Sequence, residues 1–486
     1  MASLCHPATD VPSLTRAGVP TILTGMMSIL LDALYALGLV IASPLWLYRM
    51  IRHGRYRSDL GQRFGAAPVR YSLQPVIWVH GVSLGEINAA RSLVAEIHRV
   101  LPDYRVAVSS TTETGMAAAR KLFAPDHLVF HWPLDFSFAV RRALRRLRPD
   151  LVVLMEGEVW PNFLVACARR RIPVVVVNAR MSADKGYPRY KRIAPLARRL
   201  LFKRLTAVGV QDENYAQRFI ELGVDKEKVH LTGMLKYDSA EVADRIDGQE
   251  KLAAAVGLQE GQKLIVAGGT GEGEEKAVLE VFRELQKSHG DARLAIVPRK
   301  PERFDEVARL IDACGFAVIR RSQRPNGGAQ PGAALPRSQP GKAAPPVILG
   351  DTMGDLRKFY ALAACVFVGR SLAPQGGSDM IEAAALGKPT AFGPHTFNFP
   401  QADDLARHGC VRVADAAELT GQLKAWLSNP SAAAQAGAEA QRFVCSQQGA
   451  TRRNVEMISH VLGRRPPLAE GSIATDMIRD PQRRQG

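Results

Sequence analysis

The sequence predicts an α/β chain of two doubly wound, Rossmann-like domains facing a common cleft, preceded by an apolar membrane-anchor helix. Three observations predict it. Short continuous runs of β-branched residues alternate with amphipathic stretches. The alternation comes in two sets, separated by a linker near residues 239–261. One N-terminal segment is almost free of charge.

In chain order, residues 1–20 read as a leader without periodicity and are expected to be disordered. From Thr21 to Tyr48 the only charged residue is Asp32, and the stretch is long enough for a membrane helix. Residues 21–50 are therefore assigned as an anchor. The cluster Arg49, Arg52, His53, Arg55 and Arg57 follows it and places the remaining chain on the cytoplasmic side of an inner membrane. A signal peptide would carry its basic residues before the apolar run and would be shorter. Met26 or Met27 is an alternative start, and the segment alone does not separate a spanning helix from one inserted part-way.

Residues 51–240 form the first domain. Its strand-like runs are VIWV from Val76, RVAVSS, HLVF, LVVLME from Leu151, VVVVN from Val174 and AVGVQ. Strands apolar throughout and separated by helices imply a parallel sheet covered on both faces. Residues 241–465 form the second domain, with LIVAGG, RLAIVPR, PVILG, CVFVG and PTAFG. Residues 322–346 (SQRPNGGAQPGAALPRSQPGKAAPP) have lost periodicity and read as a disordered insertion. The final helical stretch, Val444 to Leu462, is expected to cross back over the first domain, and 466–486 to be a flexible tail. Two doubly wound domains present the carboxyl ends of both sheets to a cleft, where such folds bind ligands.

Lys plus Arg is 64 against 47 Asp plus Glu, a formal charge of +17. That suits an anionic partner. Aromatics make up 7% and do not interleave with the basic residues, which argues against nucleic acid and for phosphorylated ligands or an anionic membrane surface. The six cysteines show no CxxC pairing, which argues against a zinc site or a disulfide framework.

Several motifs place chemistry at strand ends. In WVHGVSLGEINAA a strand ends at His80 and a helix opens near Glu86. A carboxylate there is placed to accept a proton from an attacking hydroxyl. It is equally the acid that complements a helix N-terminus. In LMEGEVWPNF, Glu156 and Glu158 follow a strand, as paired cleft carboxylates or as a solvated helix start. Lys236 of GMLKYD suits a phosphate or the open surface. The turn GGTGEGEEKAV is neither a Walker loop nor a dinucleotide fingerprint, but its glycines let the backbone approach an anion. Arg299, after Pro298, is placed for a bidentate phosphate contact. Met353, Gly354 and Asp355 offer backbone N–H groups and a carboxylate, and Glu382, after Gly376 and Gly377, suits the two hydroxyls of a ribose. His395 in GPHTFNF reads as part of a packed loop, since no second ligand stands at metal spacing. The basic stretch Phe136 to Arg148 lies against anionic headgroups or simply covers the sheet.

The ordered set HGVSLGE, MEGEVWPN, NARMS, GMLKYD, GGTGEGEE, VPRKPERF, GDTMGDL and GPHTFNF, spanning about residues 55–452, resembles the 3-deoxy-D-manno-octulosonic acid (Kdo) transferases. The resemblance implies a GT-B fold with an N-terminal membrane anchor and no metal or other cofactor. It implies inverting transfer of Kdo from CMP-Kdo to a lipid A precursor in lipopolysaccharide synthesis. It implies Glu86 as general base, with Glu156 and Lys236 stabilising the transition state. It assigns CMP binding to Pro298, Arg299, Met353, Gly354, Asp355, Asp379, Met380, Ile381 and Glu382. Three stretches depart from the family pattern. VGRSL carries Arg370 in place of glycine, GGSDMIE carries Ser378 and Asp379 in place of His and Asn, and GGTGEGEE replaces GSTHEGEE. The competing readings are a transferase using another nucleotide sugar on a lipid, a nucleotide-sugar 2-epimerase, and a non-catalytic membrane protein. An epimerase needs neither anchor nor acceptor base. Oligomeric state is not legible in the sequence.

Overall fold

The computed structural model describes residues 21–53, 59–184, 186–324 and 344–464. The leader 1–20, the tail 466–486 and residues 325–343 of the expected insertion lie outside the described residues. At the near edge of that insertion, Ser322 and Gln323 belong to a 3-10 turn, and Ser322 N–H and Oγ donate to Asp351 at 2.7 and 2.6 Å.

Two compact units result. One holds the chain up to Gly233 together with that from Thr451 onward, and the other holds Met234–Ala450. Each is built on a seven-stranded sheet, and every pairing is parallel.

In the first unit the strands are β1 (Val76–His80), β2 (Arg105–Ser110), β3 (Leu128–His131), β4 (Leu151–Met155), β5 (Val174–Ala179), β6 (Ala207–Val210) and β7 (Val229–Leu231), ordered β3-β2-β1-β4-β5-β6-β7. The central strands β1, β4 and β5 are buried along their whole length. Helices cover both faces, so an alternating pattern would have left polar groups in the core. Trp78 on β1 is fully buried, with its ring 4.9–5.3 Å from those of Phe130, Trp132 and Phe163. The order reverses between β1 and β4, so the loops leaving those two strands diverge and open a crevice at their carboxyl ends.

The second unit carries β8 (Lys263–Thr270), β9 (Ala292–Pro298), β10 (Val318–Arg320), β11 (Val347–Leu349), β12 (Ala363–Val368), β13 (Thr390–Phe392) and β14 (Val411–Arg412), ordered β10-β11-β9-β8-β12-β13-β14. Its reversal falls between β8 and β12. Gly268 near the end of β8 has a steric reason: a Cβ there would sit 2.3 Å from the Tyr360 hydroxyl.

The linker contains ordered helix, Gln249–Val256. Two expectations need correction. The division between units falls after Gly233 rather than after residue 240, because the helix Leu235–Ser239 packs in the second unit. Gln448 there donates to the carbonyls of Tyr237 and Ala240 at 3.1 and 2.8 Å. The last helical stretch is two helices, Pro430–Gln447 and Ala450–Val461, broken where Gly449 takes φ 93°, a conformation that favours glycine. Only the second of them belongs to the first unit, where Arg453 Nε donates to Thr232 O at 2.9 Å and Ile458 is buried.

Candidate active site

The loop leaving β1 turns at Gly81 and delivers Ser83 as the N-cap of the helix Leu84–Val100. Ser83 Oγ accepts from Glu86 N–H at 3.3 Å, and the Glu86 carboxylate reaches back to complete a capping box. Its Oε2 accepts from Val82 N–H at 2.9 Å, and its Oε1 from Ser83 N–H and Oγ at 3.3 and 2.9 Å. The helix-start reading of Glu86 is thus realised, and it fixes the carboxylate at the sheet reversal. Glu86 is only 7% exposed. Burial raises its pKa most, and the charges of Glu156 and Glu158 add to this. The bonds from Val82 and Ser83 oppose it, and the net result is a value pushed up to about 7. A carboxylate that titrates near neutrality suits a general base better than an ordinary one. Beneath it, His80 stacks on Trp132 at 3.8 Å, and burial lowers its pKa to about 3, so it stays neutral.

Glu156 leaves β4 on the other side of the reversal with φ 61°, a left-handed conformation unusual for a side-chain-bearing residue. Its N–H donates to Val177 O at 2.9 Å, and its carbonyl accepts from Arg180 N–H at 2.9 Å. Its Oε2 pairs with Arg180 Nε at 2.6 Å. Arg180, just past β5, was given no role from sequence. Its signal was a cation following the strand next to the paired acids. The first unit therefore gathers Glu86, Glu156, Glu158 and Arg180 around the ends of β1, β4 and β5.

Lys236 belongs to the second unit, not to the first domain expected from sequence. Its Nζ lies 3.1 Å from Asp379 Oδ2 and 4.2 Å from the centre of the Phe399 ring. Asp379 Oδ1 accepts from Ile381 N–H at 3.1 Å at the start of the helix Ile381–Ala385. Glu382 in that helix has its pKa raised, by burial first and by Asp379 next, while Arg357, Lys236 and Arg299 pull the other way. Lys236, Arg299, Arg357, Asp379 and Glu382 thus share one electrostatic neighbourhood. Met380 and Ile381 are buried in the hydrophobic core, which leaves only their main chain for a ligand.

Pro298 ends β9, and Arg299 follows it with its N–H on Thr270 O at 3.0 Å and its side chain exposed. Met353 is 71% exposed beside Gly354 at φ 92°. Burial works against the charge of Asp355, but Thr352, Lys358 and Arg321 outweigh it and lower its pKa.

Glu274, 1% exposed, joins the two loops that flank the reversal of the second sheet. It accepts from Gly271 N–H at 2.8 Å after β8, and from the N–H groups of Arg370 and Ser371 after β12. Arg370 stands at φ 58°, where glycine would be unstrained. Its Nη2 donates to Gln375 O at 3.0 Å. Ser378 Oγ donates to Gly269 O at 2.7 Å. Arg370 and Ser378, read from the sequence as departures from the family pattern, are thus tied into these loops, while Asp379 is bonded to Lys236 and Ile381. Among the described residues no three His, Cys, Asp or Glu side chains group as a metal donor set.

The sequence model of a family described as 3-Deoxy-D-manno-octulosonic-acid transferase (kdotransferase) matches residues 58–239. A 3-deoxy-D-manno-octulosonic acid transferase of Bordetella pertussis is 36% identical over 449 residues, 88% of this chain and 99% of that protein. One of Haemophilus influenzae is 30% identical over 439 residues, 88% of this chain and 97% of that protein. Among solved structures, a UDP-GlcNAc 2-epimerase from Neisseria meningitidis bound to UDP-GlcNAc superposes with a TM-score of 0.53 at 15% identity, over 79% of this chain and all of that one. This last likeness is one of fold.

Proposed function

The chain belongs to the 3-deoxy-D-manno-octulosonic acid (Kdo) transferase family, a family of glycosyltransferases, and from that membership we propose that it moves Kdo from CMP-Kdo to a phosphorylated lipid A precursor with inversion. The observation that carries the assignment of roles is Glu86: a fixed carboxylate at the β1/β4 reversal with a pKa near 7.

In this reading Glu86 takes the proton from an acceptor hydroxyl as its oxygen bonds to the anomeric carbon of Kdo. The bond from that carbon to the phosphate oxygen of CMP breaks, and the electron pair leaves with CMP. One displacement inverts the carbon. The leaving phosphate gains negative charge, and Lys236, Arg299 and main-chain N–H groups near Gly354 are the donors that stabilise it. No metal is needed in this scheme, since those cations supply the charge. Glu156, held by Arg180, supports the developing positive charge on the sugar ring. Glu382 is assigned to the ribose, and Asp379 holds Lys236.

The epimerase likeness supports the fold only, whereas similarity over nearly the whole length of the transferases favours transfer. The N-terminal helix supports membrane association. Residues Met27–Pro44 have a mean hydropathy of 1.7 and are largely unburied. We place the protein on the cytoplasmic face of the inner membrane, where a lipid acceptor is reached.

The test is transfer in vitro with CMP-Kdo and tetraacyl lipid A precursor. The unaltered protein is expected to transfer Kdo, and Glu86→Ala to lose at least about 10²-fold in kcat/KM with its fold intact. Full activity in Glu86→Ala would remove the base, and a preference for a UDP-sugar would remove the donor assignment.

A further inference from the structure

The apolar N-terminal helix, Thr21–His53, is not uniformly apolar around its circumference. Ser28, Asp32 and Tyr35 follow one another at helical spacing and share one face. Ser28 is buried. Asp32 Oδ1 accepts from Ser137 N–H at 2.8 Å and from Asn162 Nδ2 at 2.9 Å, and Oδ2 accepts from Ser137 Oγ at 2.5 Å. Tyr35 donates its hydroxyl proton to Asp135 Oδ2 at 3.1 Å, and its ring meets Phe136 edge-on at 6.0 Å. Asp135 is itself held by the N–H groups of Asn162 and Phe163 at 3.0 and 2.8 Å. Both aspartates thus sit at the openings of the helices Ser137–Leu147 and Pro161–Arg169, where N–H groups lack helical partners. The other side of the N-terminal helix shows Ile29, Leu30, Leu34, Leu37, Val40 and Ile41 between 55 and 72% exposed.

Length decides what this arrangement allows. Residues Ser28 to Tyr35 are committed to the first unit. From Ala36 to Tyr48 about 13 residues remain, which at helical rise cover about 20 Å. The hydrocarbon core of a bilayer is about 30 Å thick. A crossing helix would have to pull Asp32 off its three donors and carry it into the apolar layer, which is costly.

We propose that Asp32 and Tyr35, bonded to Ser137, Asn162 and Asp135, form a polar clasp that holds this helix rigidly against the first unit, so that its exposed apolar face enters one lipid leaflet without crossing the bilayer. The helix is then an oriented foot rather than a tether. It sets the angle at which the Glu86 unit meets a lipid-borne acceptor. The inference rests on the membrane association and lipid acceptor proposed above.

Two measurements test it with the full chain. The first reconstitutes protein carrying an N-terminal epitope tag in sealed phosphatidylglycerol–phosphatidylethanolamine vesicles with the globular units outside. Protease added outside is expected to remove the tag together with those units. A tag protected until detergent is added would overturn the one-leaflet seating. The second compares Asp32→Leu and Ser137→Ala with the unaltered protein. Transfer to acceptor embedded in vesicles is expected to fall about tenfold as the orientation is lost. Transfer to acceptor dispersed in detergent should stay within about twofold, since neither residue touches the proposed reacting groups. Equal rates on vesicles for variants and unaltered protein would overturn the clasp. A parallel loss in both assays would reduce it to a folding contact. No transfer by the unaltered protein in detergent would instead strike the proposed function and leave the protease result to judge the clasp.

Discussion

Glu86 caps a helix and is proposed to pull a proton with the same carboxylate, and the two duties leave different marks on pH. Its pKa rises from 4.5 to about 7 on folding, with burial as the largest cause. As a base it must be ionised, so kcat/KM is expected to climb through about pH 7 along its acid limb, read from a pH–rate profile. For stability the sign is the reverse. A carboxyl whose folded pKa is raised binds more protons folded than unfolded between about pH 4.5 and 7. Its favourable contribution is complete below pH 4.5 and lost as pH rises through 7, on the order of 3 kcal/mol for that shift. Asp135, raised from 3.8 to about 7, acts in the same direction. The melting temperature of the unaltered protein is therefore expected to fall between pH 6 and 8. Glu86→Gln, which cannot ionise but keeps an acceptor oxygen, is expected to fall less over that range while losing transfer. An equal fall in both would mean that Glu86 ionises in the folded chain as it does in the unfolded one.

At the scale of elements, the loops at the second sheet's reversal are held by adjacent acids with separate tasks. Glu274 binds backbone across two loops, while Glu275, in the first turn of the helix Glu275–Gln286, pairs with Arg303 at 2.6 Å. The Glu275 side chain is 1% exposed and that of Arg303 11% exposed. Arg303 also reaches Glu306 at 2.8 Å. Removing one partner of a buried pair leaves an uncompensated charge, and Glu306 offsets part of it here. Glu275→Ala is expected to cost about 3 kcal/mol of stability, measured by urea denaturation at unchanged slope. These elements also show what the sequence could carry. Strands buried on both faces, such as β4 and β5, announce themselves as unbroken apolar runs. β10 and β14 each end in arginine and are only partly buried, so no apolar run marks them, whereas the equally short β11 is buried throughout and reads as one. The acids and cations after β1, β4 and β9 were legible because a strand end places them whatever the tertiary detail. Lys236 was assigned to the wrong unit because a short helix after a strand reads alike on either side of a boundary. Glu274 and the Asp32–Ser137 contact were invisible, since their partners are distant in sequence or are main-chain groups, and Arg180, though its place after β5 marked it, gave no sign of its pairing with Glu156.

For the whole molecule, the formal charge of +17 gains meaning from where the arginines fall. The helix Ser137–Leu147 buries Val140, Ala143, Leu144 and Leu147 against the first core, as a sheet-covering helix must. Its outer side carries Arg141, Arg142 and Arg145, all exposed. Phe138, 51% exposed, stacks on Phe64 at 6.3 Å beside them. The same helix receives Asp32, so the arginine row and the exposed apolar face of the N-terminal helix belong to one unit. Covering the sheet and meeting a membrane are thus compatible, because the buried residues and the exposed arginines lie on different faces of this helix. A basic residue at an anionic lipid surface contributes about 1 kcal/mol, so replacing all three arginines by alanine is expected to weaken vesicle binding by about 3 kcal/mol, or roughly a hundredfold. The contrast should appear in co-sedimentation with phosphatidylglycerol vesicles at low salt and shrink in about 1 M salt, where screening acts within about 3 Å. Neutral phosphatidylcholine vesicles should show little difference, because there only the apolar helix contributes. Undiminished binding of the triple variant to anionic vesicles at low salt would mean that this helix faces water, and that the positive charge serves the phosphates of the substrates instead.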